Sequence, residues 1–296
     1  MQSVLDRLMR RRDRRYPLAD DSLARHVDLS GRAVVVTGAS RGLGRQVALT
    51  LARHGADVVA ASRSSGGLDE TANLIFRETQ REALAVATDV SSPQDVANLK
   101  TRATSTFGHI AILVNAAGVF GPLAPLSQTD PDEWIRTLET NTIGTYLTCR
   151  SFAPEMIEAG WGRIVNVSSA AGLNAPGPLD SAYSTSKSAV TRLTRHLAAE
   201  LADTGVTANV IEPGTFESGM WEDIRSQVSL LTKQGEWPSA WTEGFRQLGE
   251  LLRETGGDPM SRATSLILNL LDEAADEING TFCSAHGAVE GPGAGW

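Results

Sequence analysis

The chain has 296 residues, of which 41% are hydrophobic and 21% charged, proportions that are ordinary for a folded soluble protein. Its formal net charge of -8 argues against a nucleic-acid-binding protein, which normally carries a basic face, and favours a cytoplasmic location. Two distant cysteines and five histidines without a ligand-like spacing give neither a disulfide framework nor a predicted metal site.

Residues 1–30 are predicted to form a basic N-terminal arm and loop. Six arginines fall between positions 7 and 15, together with apolar residues at helical spacing that suit a short amphipathic helix. A solvated or partner-docked arm, a patch for a membrane surface or anionic partner, and a targeting segment are all compatible with this pattern. No apolar run approaches the roughly 20 residues needed to cross a bilayer, so we expect no membrane span.

Residues 31–296 are predicted to form a single domain in which apolar strands alternate with amphipathic helices. This alternation indicates an α/β fold with a doubly wound parallel sheet of about seven strands and helices on both faces. The predicted strands are 33–36, 57–61, 83–87, 110–114, 164–167, 206–211 and 281–284. Helices are expected over about 43–54 and 69–79, and beginning near Pro93, Pro131 and Ser181.

A glycine-rich turn follows the first predicted strand. Its glycines permit positive φ and close approach of the backbone to a pyrophosphate, and the next helix offers free N–H groups and the positive end of its dipole. Any tight connection between a strand and a helix could use such a turn, but its place in a βαβ unit favours dinucleotide binding. The turn contains Thr37, Gly38, Ala39, Ser40, Arg41, Gly42, Leu43 and Gly44.

The alternation lapses at about residues 215–258, between the sixth strand and the last helix. An insertion here would overhang the carboxyl edge of the sheet, where open α/β sheets bind ligands. Simple core packing of an irregular subdomain and a mobile lid with an apolar or aromatic substrate wall both suit this segment, and both can hold at once. Its large residues are Phe216, Met220, Trp221, Trp237, Trp241 and Phe245.

Three motifs in the chain resemble, in their order, those of the short-chain dehydrogenase/reductase family. They are the Thr-Gly-x-x-x-Gly-x-Gly turn at 37–44, the turn of Asn115, Ala116, Ala117 and Gly118, and Tyr-x-x-x-Lys at Tyr183 and Lys187. The resemblance covers about residues 29–284 and depends on the co-occurrence of the motifs, since Tyr-x-x-x-Lys by itself is common by chance. It implies a Rossmann-like fold and an enzyme similar to 3-oxoacyl reductases, which moves a hydride between a nicotinamide cofactor and a carbonyl or secondary alcohol.

Tyr183 and Lys187 are four residues apart, so they share one face of a helix and can point into one cleft. A nearby ammonium and the positive charge of oxidised nicotinamide would lower the pKa of a tyrosine from its ordinary value of about 10. Tyr183 is therefore the predicted general acid/base. The resemblance also implies that Lys187 hydrogen-bonds the nicotinamide ribose.

The resemblance assigns two further catalytic positions. Ser169, three residues before Gly172, would donate to a developing alkoxide, with Ser168 as the alternative. Ser169 stands 14 residues before Tyr183, one more than in the commonest members, which the intervening loop can absorb. Asn141 corresponds to an asparagine that holds a water linking the lysine to solvent; the alternative is a structural asparagine bonding the backbone of a kinked helix.

The resemblance also places the two ends of the cofactor. Asp89 and Val90 would bracket the adenine ring, although Asp89 could instead cap the next helix. The nicotinamide carboxamide would contact the segment after the sixth strand, namely Pro213, Gly214, Thr215 and Ser218.

The end of the second strand bears on the choice of cofactor. Ser62 occupies the place where an NAD-preferring site usually has a carboxylate, and Arg63 follows it. Arg41 in the glycine-rich turn adds a second guanidinium. Two arginines without an acid suit a 2′-phosphate, so NADP(H) is favoured over NAD(H), the alternative being that each arginine is simply solvated.

The expected partner is a small-molecule carbonyl or alcohol, bulky or aromatic if the 215–258 segment forms its wall. The resemblance further implies a homotetramer or homodimer assembled through the helices that begin near Pro131 and Ser181. Two alternatives to this oxidoreductase remain: an epimerase or dehydratase of the same family that retains its cofactor, and a non-catalytic NADP(H)-binding sensor. The complete set of four catalytic positions argues against a sensor, which has no need of all of them.

Overall fold

The computed structural model describes residues 27–173, 177–235, 238–287 and 289–290. The arginines of the predicted N-terminal arm and Trp237 lie outside these residues. The strands described are Ala33–Thr37 (β1), Asp57–Ser62 (β2), Leu84–Ala87 (β3), Ile110–Asn115 (β4), Gly162–Val167 (β5), Val206–Glu212 (β6), Phe282–Ser284 (β7) and Val289–Glu290 (β8). The helices described are Gly42–Arg53 (α1), Ser65–Thr79 (α2), Pro93–Phe107 (α3), Pro131–Leu138 (α4), Gly144–Ala159 (α5), Ser181–Glu200 (α6), Gly219–Gln234 (α7), Ser239–Thr255 (α8) and Met260–Leu271 (α9).

All the described strands belong to one sheet, in the order β3-β2-β1-β4-β5-β6-β7-β8. Strands β1 to β7 pair in parallel, and the two-residue β8 pairs antiparallel with β7 at the edge. The predicted doubly wound α/β fold is confirmed. The strand order reverses between β1 and β4, and sheets of this type bind ligands at the carboxyl ends of the strands next to such a reversal.

Successive side chains of the central strand enter two different apolar cores. In β1, Val34 and Val36 pack in one core with residues of α1 and α9, whereas Val35 packs in the other with residues of α3 and α5. Every residue of β1 is buried, as expected for a parallel strand covered by helices on both faces. Because the apolar packing on both faces stabilises the sheet, the residues at the carboxyl ends of its strands can be polar.

The segment expected to be irregular forms two helices, α7 and α8, which pack on each other. Each ends at a glycine in the left-handed region, Gly235 with φ of 65° and Gly256 with φ of 78°. Ile224 and Val228 of α7 are buried in a third apolar cluster with Phe120 and Leu123 from the loop after β4. The two helices are therefore joined to the carboxyl edge of the sheet by an apolar interface.

Apolar side chains on and between α4 and α5 are partly exposed, with Ile135, Ile143, Tyr146 and Ile157 each 42–50% exposed. Assembly through the helices that begin at Pro131 and Ser181, α4 and α6, stays a prediction. Within the described ranges, no helix is both long and apolar enough to cross a membrane. The same residues contain no group of three or more His, Cys, Asp or Glu side chains arranged to hold a metal ion.

Candidate active site

A cleft of about 890 Å³ lies at the carboxyl ends of the parallel strands, beneath α7 and α8. It brings together residues that are far apart in the sequence. The predicted site residues that line it are Gly38, Ser40, Arg41, Gly42, Leu43, Gly44, Ser62, Arg63, Asp89, Val90, Ala116, Ala117, Gly118, Ser169, Tyr183, Lys187, Pro213, Gly214, Thr215 and Ser218. Two predicted residues, Asn115 and Asn141, are buried behind the cleft and do not line it.

The glycine-rich turn is folded tightly on itself. A Cβ on Gly44 would lie 2.3 Å from the carbonyl oxygen of Gly38, and one on Gly38 would lie 2.8 Å from that of Ala116. Gly38 also has a φ of 70°, in the left-handed region that favours glycine. No side chain among the described residues caps the start of α1, so its first N–H groups are free to face an anion.

Arg45, which the sequence did not single out, holds this turn against α2. Its guanidinium donates to the carbonyl oxygen of Ser40 and, at 3.1 Å, to the hydroxyl of Thr71, and it pairs with Glu70 at 2.7 Å. The Thr71 hydroxyl in turn donates to the carbonyl oxygen of Ala39 at 2.8 Å. Two of these contacts, to the carbonyl oxygens of Ser40 and Ala39, hold the backbone of the turn, and the other two hold Arg45 on α2.

Tyr183 and Lys187 both face the cleft from α6, as their spacing predicts. The Lys187 Nζ lies 5.7 Å from the centroid of the Tyr183 ring and donates to the carbonyl oxygen of Val167 at 2.9 Å. The hydroxyl of Ser169 lines the same cleft and accepts from the N–H of Ala171 at 3.2 Å, and its proximity to Tyr183 lowers the pKa of the phenol. Phenol, ammonium and serine hydroxyl therefore form one cluster at the edge of the cleft.

The two neighbouring serines have different partners. The hydroxyl of Ser168 is buried, donates to the backbone carbonyl of Lys187 at 2.9 Å and hydrogen-bonds Thr191 at 3.0 Å. Ser168 therefore anchors α6 to the end of β5. Because Ser168 is engaged in this way, Ser169 supplies the hydroxyl beside Tyr183.

The turn after Ser169 is packed directly on α6. A Cβ on Gly172 would lie 2.8 Å from the backbone carbon of Lys187, and the Ser188 hydroxyl donates to the carbonyl oxygen of Gly172 at 2.8 Å. These contacts set Ser169 relative to Tyr183.

Asn141 lies in a π-helical turn, Glu139–Ile143, that joins α4 to α5. Its side-chain oxygen accepts from the N–H of Val119 at 2.8 Å, and its amide nitrogen donates to the carbonyl of Val119 and the hydroxyl of Ser186, both at 2.9 Å. The side chain thus holds the loop after β4 against α6, rather than bonding its own helix. A catalytic role for Asn141 stays a prediction.

The side chain of Asn115 does not face the cleft, where the sequence predicts a cofactor contact. Its side-chain oxygen accepts from Thr148 at 2.8 Å, and its amide nitrogen donates to Asn166 at 2.9 Å. Asn115 is the last residue of β4, and its side chain points back into the protein, where it joins β4 to β5 and α5. The part of this motif that faces the cleft is therefore 116–118.

Burial raises the pKa of Tyr183; the hydrogen bond from Ser169 opposes this, and the negative charges of Asp180 and Glu212 add to it. The sequence led us to expect a lowered pKa from the Lys187 ammonium. Burial instead lowers the pKa of Lys187 itself, to about 8. Around neutral pH the phenol is protonated, which suits a proton donor.

For the carbonyl reduction that the sequence predicts, we expect the loss of activity at alkaline pH to follow the deprotonation of Lys187. The ammonium is present below about pH 8 and lost above it, whereas Tyr183, with its raised pKa, keeps its proton over that range. The kcat/KM for reduction should be constant near neutral pH and fall about tenfold per pH unit above pH 8. In the Lys187→Arg variant, whose guanidinium stays charged, the fall should move to higher pH. A limb at the same pH in both proteins would contradict this assignment.

Aromatic residues form the wall beside Tyr183. Phe120 stacks on the Tyr183 ring with centroids 4.7 Å apart, and Phe245 of α8 meets Phe120 edge-on at 6.1 Å. Met220 and Trp221 of α7 also line the cleft. The aromatic segment therefore combines the two arrangements expected for it, since it packs in a cluster and also faces the cleft.

The arginines expected at the 2′-phosphate both line the cleft but have different neighbours. Arg63 lies near Asp89. Burial raises the pKa of the Asp89 carboxyl, but hydrogen bonds from Ser91 and the positive charge of Arg63 together hold that pKa below its ordinary value. Arg41 instead lies against the start of α7, where a Cβ on Gly219 would be 2.5 Å from its guanidinium. Arg63 thus belongs to the Asp89 end of the cleft, and Arg41 joins the glycine-rich turn to α7.

Asp89 does not cap the helix that follows it. The hydroxyl of Ser92 caps α3 by accepting from the N–H of Asp95 at 3.2 Å. The carboxylate of Asp89 accepts from the N–H and hydroxyl of Ser91 at 3.0 and 2.6 Å. It is thereby held at the mouth of the cleft.

Comparison with known proteins identifies similar chains. A family model described as short chain dehydrogenase matches residues 32–229. A short-chain type dehydrogenase/reductase from Picea abies is 38% identical over 209 residues, which are 68% of this chain and 77% of that protein. The crystal structure of an NAD+-bound xylitol dehydrogenase has a TM-score of 0.76 at 28% identity and covers 86% of this chain and 98% of its own. An actinorhodin polyketide ketoreductase with NADPH has a TM-score of 0.73 at 27% identity and covers 86% and 95%.

Proposed function

The chain belongs to the short-chain dehydrogenase family of oxidoreductases, and we propose that it transfers a hydride between NADP(H) and a carbonyl or secondary alcohol. The observation that carries the proposal is that Ser169, Tyr183 and Lys187 line one cleft, with the Lys187 Nζ 5.7 Å from the centroid of the Tyr183 ring. In carbonyl reduction a phenol can donate the proton, and a second hydroxyl and an ammonium can stabilise the negative charge that develops.

The cleft suits a dinucleotide. The tight Gly38–Gly44 contact and the free N-terminus of α1 fit a pyrophosphate. Asp89 and Val90 would hold the adenine, Lys187 the nicotinamide ribose, and the segment 213–218 the carboxamide. Asp258 supports that segment, because its carboxylate accepts from the N–H of Thr215 at 2.9 Å. When bound, the nicotinamide supplies or accepts the hydride.

The protein's own groups would manage the proton. In reduction, Tyr183 donates its hydroxyl proton to the carbonyl oxygen of the substrate. Ser169 donates a hydrogen bond to the same oxygen as negative charge develops on it. The Lys187 ammonium stabilises the resulting phenolate. In alcohol oxidation the same steps run in reverse.

A preference for NADP(H) is proposed on the basis of Arg63 and Arg41, with Ser62 where an acid would repel a phosphate. Charge-assisted hydrogen bonds contribute roughly 1.5–3 kcal/mol each, so Arg63→Leu should raise the Kd for NADPH about tenfold or more. The Kd for NADH should change much less. Fluorescence of the bound reduced cofactor measures both constants.

A matched control for this prediction is Arg77→Leu, which removes an exposed arginine on α2 outside the cleft. This variant should bind both cofactors like the wild type. If Arg63→Leu weakened NADH and NADPH equally, the arginine would not read the 2′-phosphate.

The reaction itself is tested by a carbonyl screen. Aromatic, steroidal, acyl-thioester and sugar carbonyls are supplied with NADPH and NADH in parallel, while reduced cofactor and product are followed. The proposal expects NADPH to be consumed mole for mole with alcohol formed. Substrate conversion without loss of reduced cofactor would favour an epimerase or dehydratase, and cofactor binding without any conversion would favour a sensor.

A further inference from the structure

Asp180 lines the cleft one helical turn before Tyr183. It is the residue that precedes α6, where the side chain of an aspartate normally accepts from the backbone N–H groups of the first turn, yet the Asp180 carboxylate accepts from none of them. Its Oδ1 is buried and has no hydrogen-bond partner among the residues that the structure describes. Buried polar atoms are nearly always paired, so this oxygen requires an explanation.

The backbone that presents Asp180 is strained. Leu179 has a φ of 83°, in the left-handed region that a branched, bulky residue rarely adopts. Its side chain is buried in the cluster with Phe120 and Ile224, and its carbonyl oxygen accepts from the N–H of Ala124 at 2.9 Å. Tertiary packing thus maintains this conformation, and strain of this kind concentrates at binding sites.

No cation neutralises Asp180 within the described part of the chain. The ammonium of Lys187 donates to the carbonyl oxygen of Val167, and no salt bridge among the described residues includes Asp180. The same cleft is also lined by the aromatic rings of Phe120, Trp221 and Phe245. Burial accordingly raises the pKa of Asp180, opposed by the hydroxyl of Ser184, which donates to the backbone carbonyl oxygen of Asp180 at 3.0 Å. An acceptor in such surroundings is best satisfied by a donor on the ligand.

We propose that Asp180 accepts a hydrogen bond from the substrate, which carries a hydroxyl or ammonium donor next to its carbonyl on an apolar body. The inference rests on the proposed function, because Tyr183 marks the position of the reacting carbonyl. Asp180 directly precedes α6, three residues before Tyr183, and lies close enough for its charge to raise the pKa of Tyr183. Donor and carbonyl therefore occupy neighbouring positions. The substrate class is therefore an α-hydroxy or α-amino ketone, or in the reverse direction a vicinal diol or amino alcohol.

Three aryl ketones of nearly equal size test this proposal: acetophenone, its α-hydroxy derivative 2-hydroxy-1-phenylethanone and its α-amino derivative 2-amino-1-phenylethanone. The wild type should reduce at least one donor-bearing ketone with a kcat/KM about tenfold or more above that for acetophenone, as expected for a buried hydrogen bond. Asp180→Leu should bring that ratio close to one. The matched control Asp223→Leu, which removes an exposed carboxylate of α7 outside the cleft, should keep the wild-type ratio.

Asp180→Asn distinguishes the two donors. The amide oxygen still accepts from a hydroxyl, so a preference for the hydroxy ketone should survive in part. A preference for the ammonium should disappear, because it depends on the negative charge.

A binding measurement separates this inference from the proposed function. If no carbonyl is reduced, the proposed function fails, but quenching of tryptophan fluorescence still gives the Kd of each ketone in the cleft that Trp221 lines. The wild type should then bind a donor-bearing ketone about tenfold or more tightly than acetophenone, and Asp180→Leu should bind them equally. A wild-type Kd ratio near one, or a ratio unchanged in Asp180→Leu, would overturn the role of Asp180.

Discussion

The Tyr183→Phe variant should lose turnover by a factor of about 10²–10⁴, the range that removal of a general acid costs. The substitution deletes the hydroxyl that donates to the substrate and leaves the ring, whose stacking on Phe120 at 4.7 Å supports the cleft wall. The Kd for NADPH should therefore stay close to the wild-type value. Steady-state turnover and cofactor fluorescence measure the two quantities on the same preparation.

Tyr146→Phe is the matched control, because Tyr146 is 42% exposed on α5 and lies outside the cleft. It should leave both turnover and cofactor affinity unchanged. Unchanged turnover in Tyr183→Phe would refute the acid/base role. Loss of cofactor binding in that variant would instead mean that the hydroxyl mainly holds the cofactor.

The second large effect is expected at the glycine-rich turn. In Gly44→Ala the new Cβ would lie 2.3 Å from the carbonyl oxygen of Gly38, so the turn must move. Overpacking of this kind costs roughly 1–3 kcal/mol, and the displaced turn should raise the Kd for NADPH by about 10–100-fold. Cofactor titration measures the loss, and thermal unfolding shows whether the fold remains cooperative.

Gly66→Ala provides the comparison for Gly44→Ala, because a Cβ on Gly66 in α2 meets no atom within 4 Å. This variant should bind NADPH normally, and its stability should be equal or slightly higher, since alanine favours a helix. Wild-type affinity in Gly44→Ala would show that the tight Gly38–Gly44 contact does not shape the cofactor site.

The sequence was sufficient for features that depend on local patterns. The strands follow from apolar runs such as 33–36, and the shared direction of Tyr183 and Lys187 follows from their spacing on a helix. The direction of a side chain at the end of a strand could not be predicted from such local patterns. Ser168 and Ser169 are adjacent but have different partners, and Asn115 turns inward because Thr148 and Asn166, distant in sequence, hydrogen-bond it.

Features that depend on several distant segments could not be predicted. The contact of Arg41 with Gly219 requires α7, whose helical period was not recognised in the segment 215–258. Arg45 has no motif, and its role appears only through contacts with α2. The unpaired Oδ1 of Asp180 and the left-handed backbone of Leu179 beside it likewise correspond to no sequence pattern.

Transfer of isotope from the cofactor tests the central claim most directly. A carbonyl compound that the enzyme converts is incubated with NADPH in which both C4 hydrogens of the nicotinamide ring are replaced by deuterium. The product is analysed by mass spectrometry. Hydride transfer predicts one deuterium on the new carbinol carbon and an equal amount of NADP+. Converted substrate that contains no deuterium, with the reduced cofactor unspent, would contradict the account.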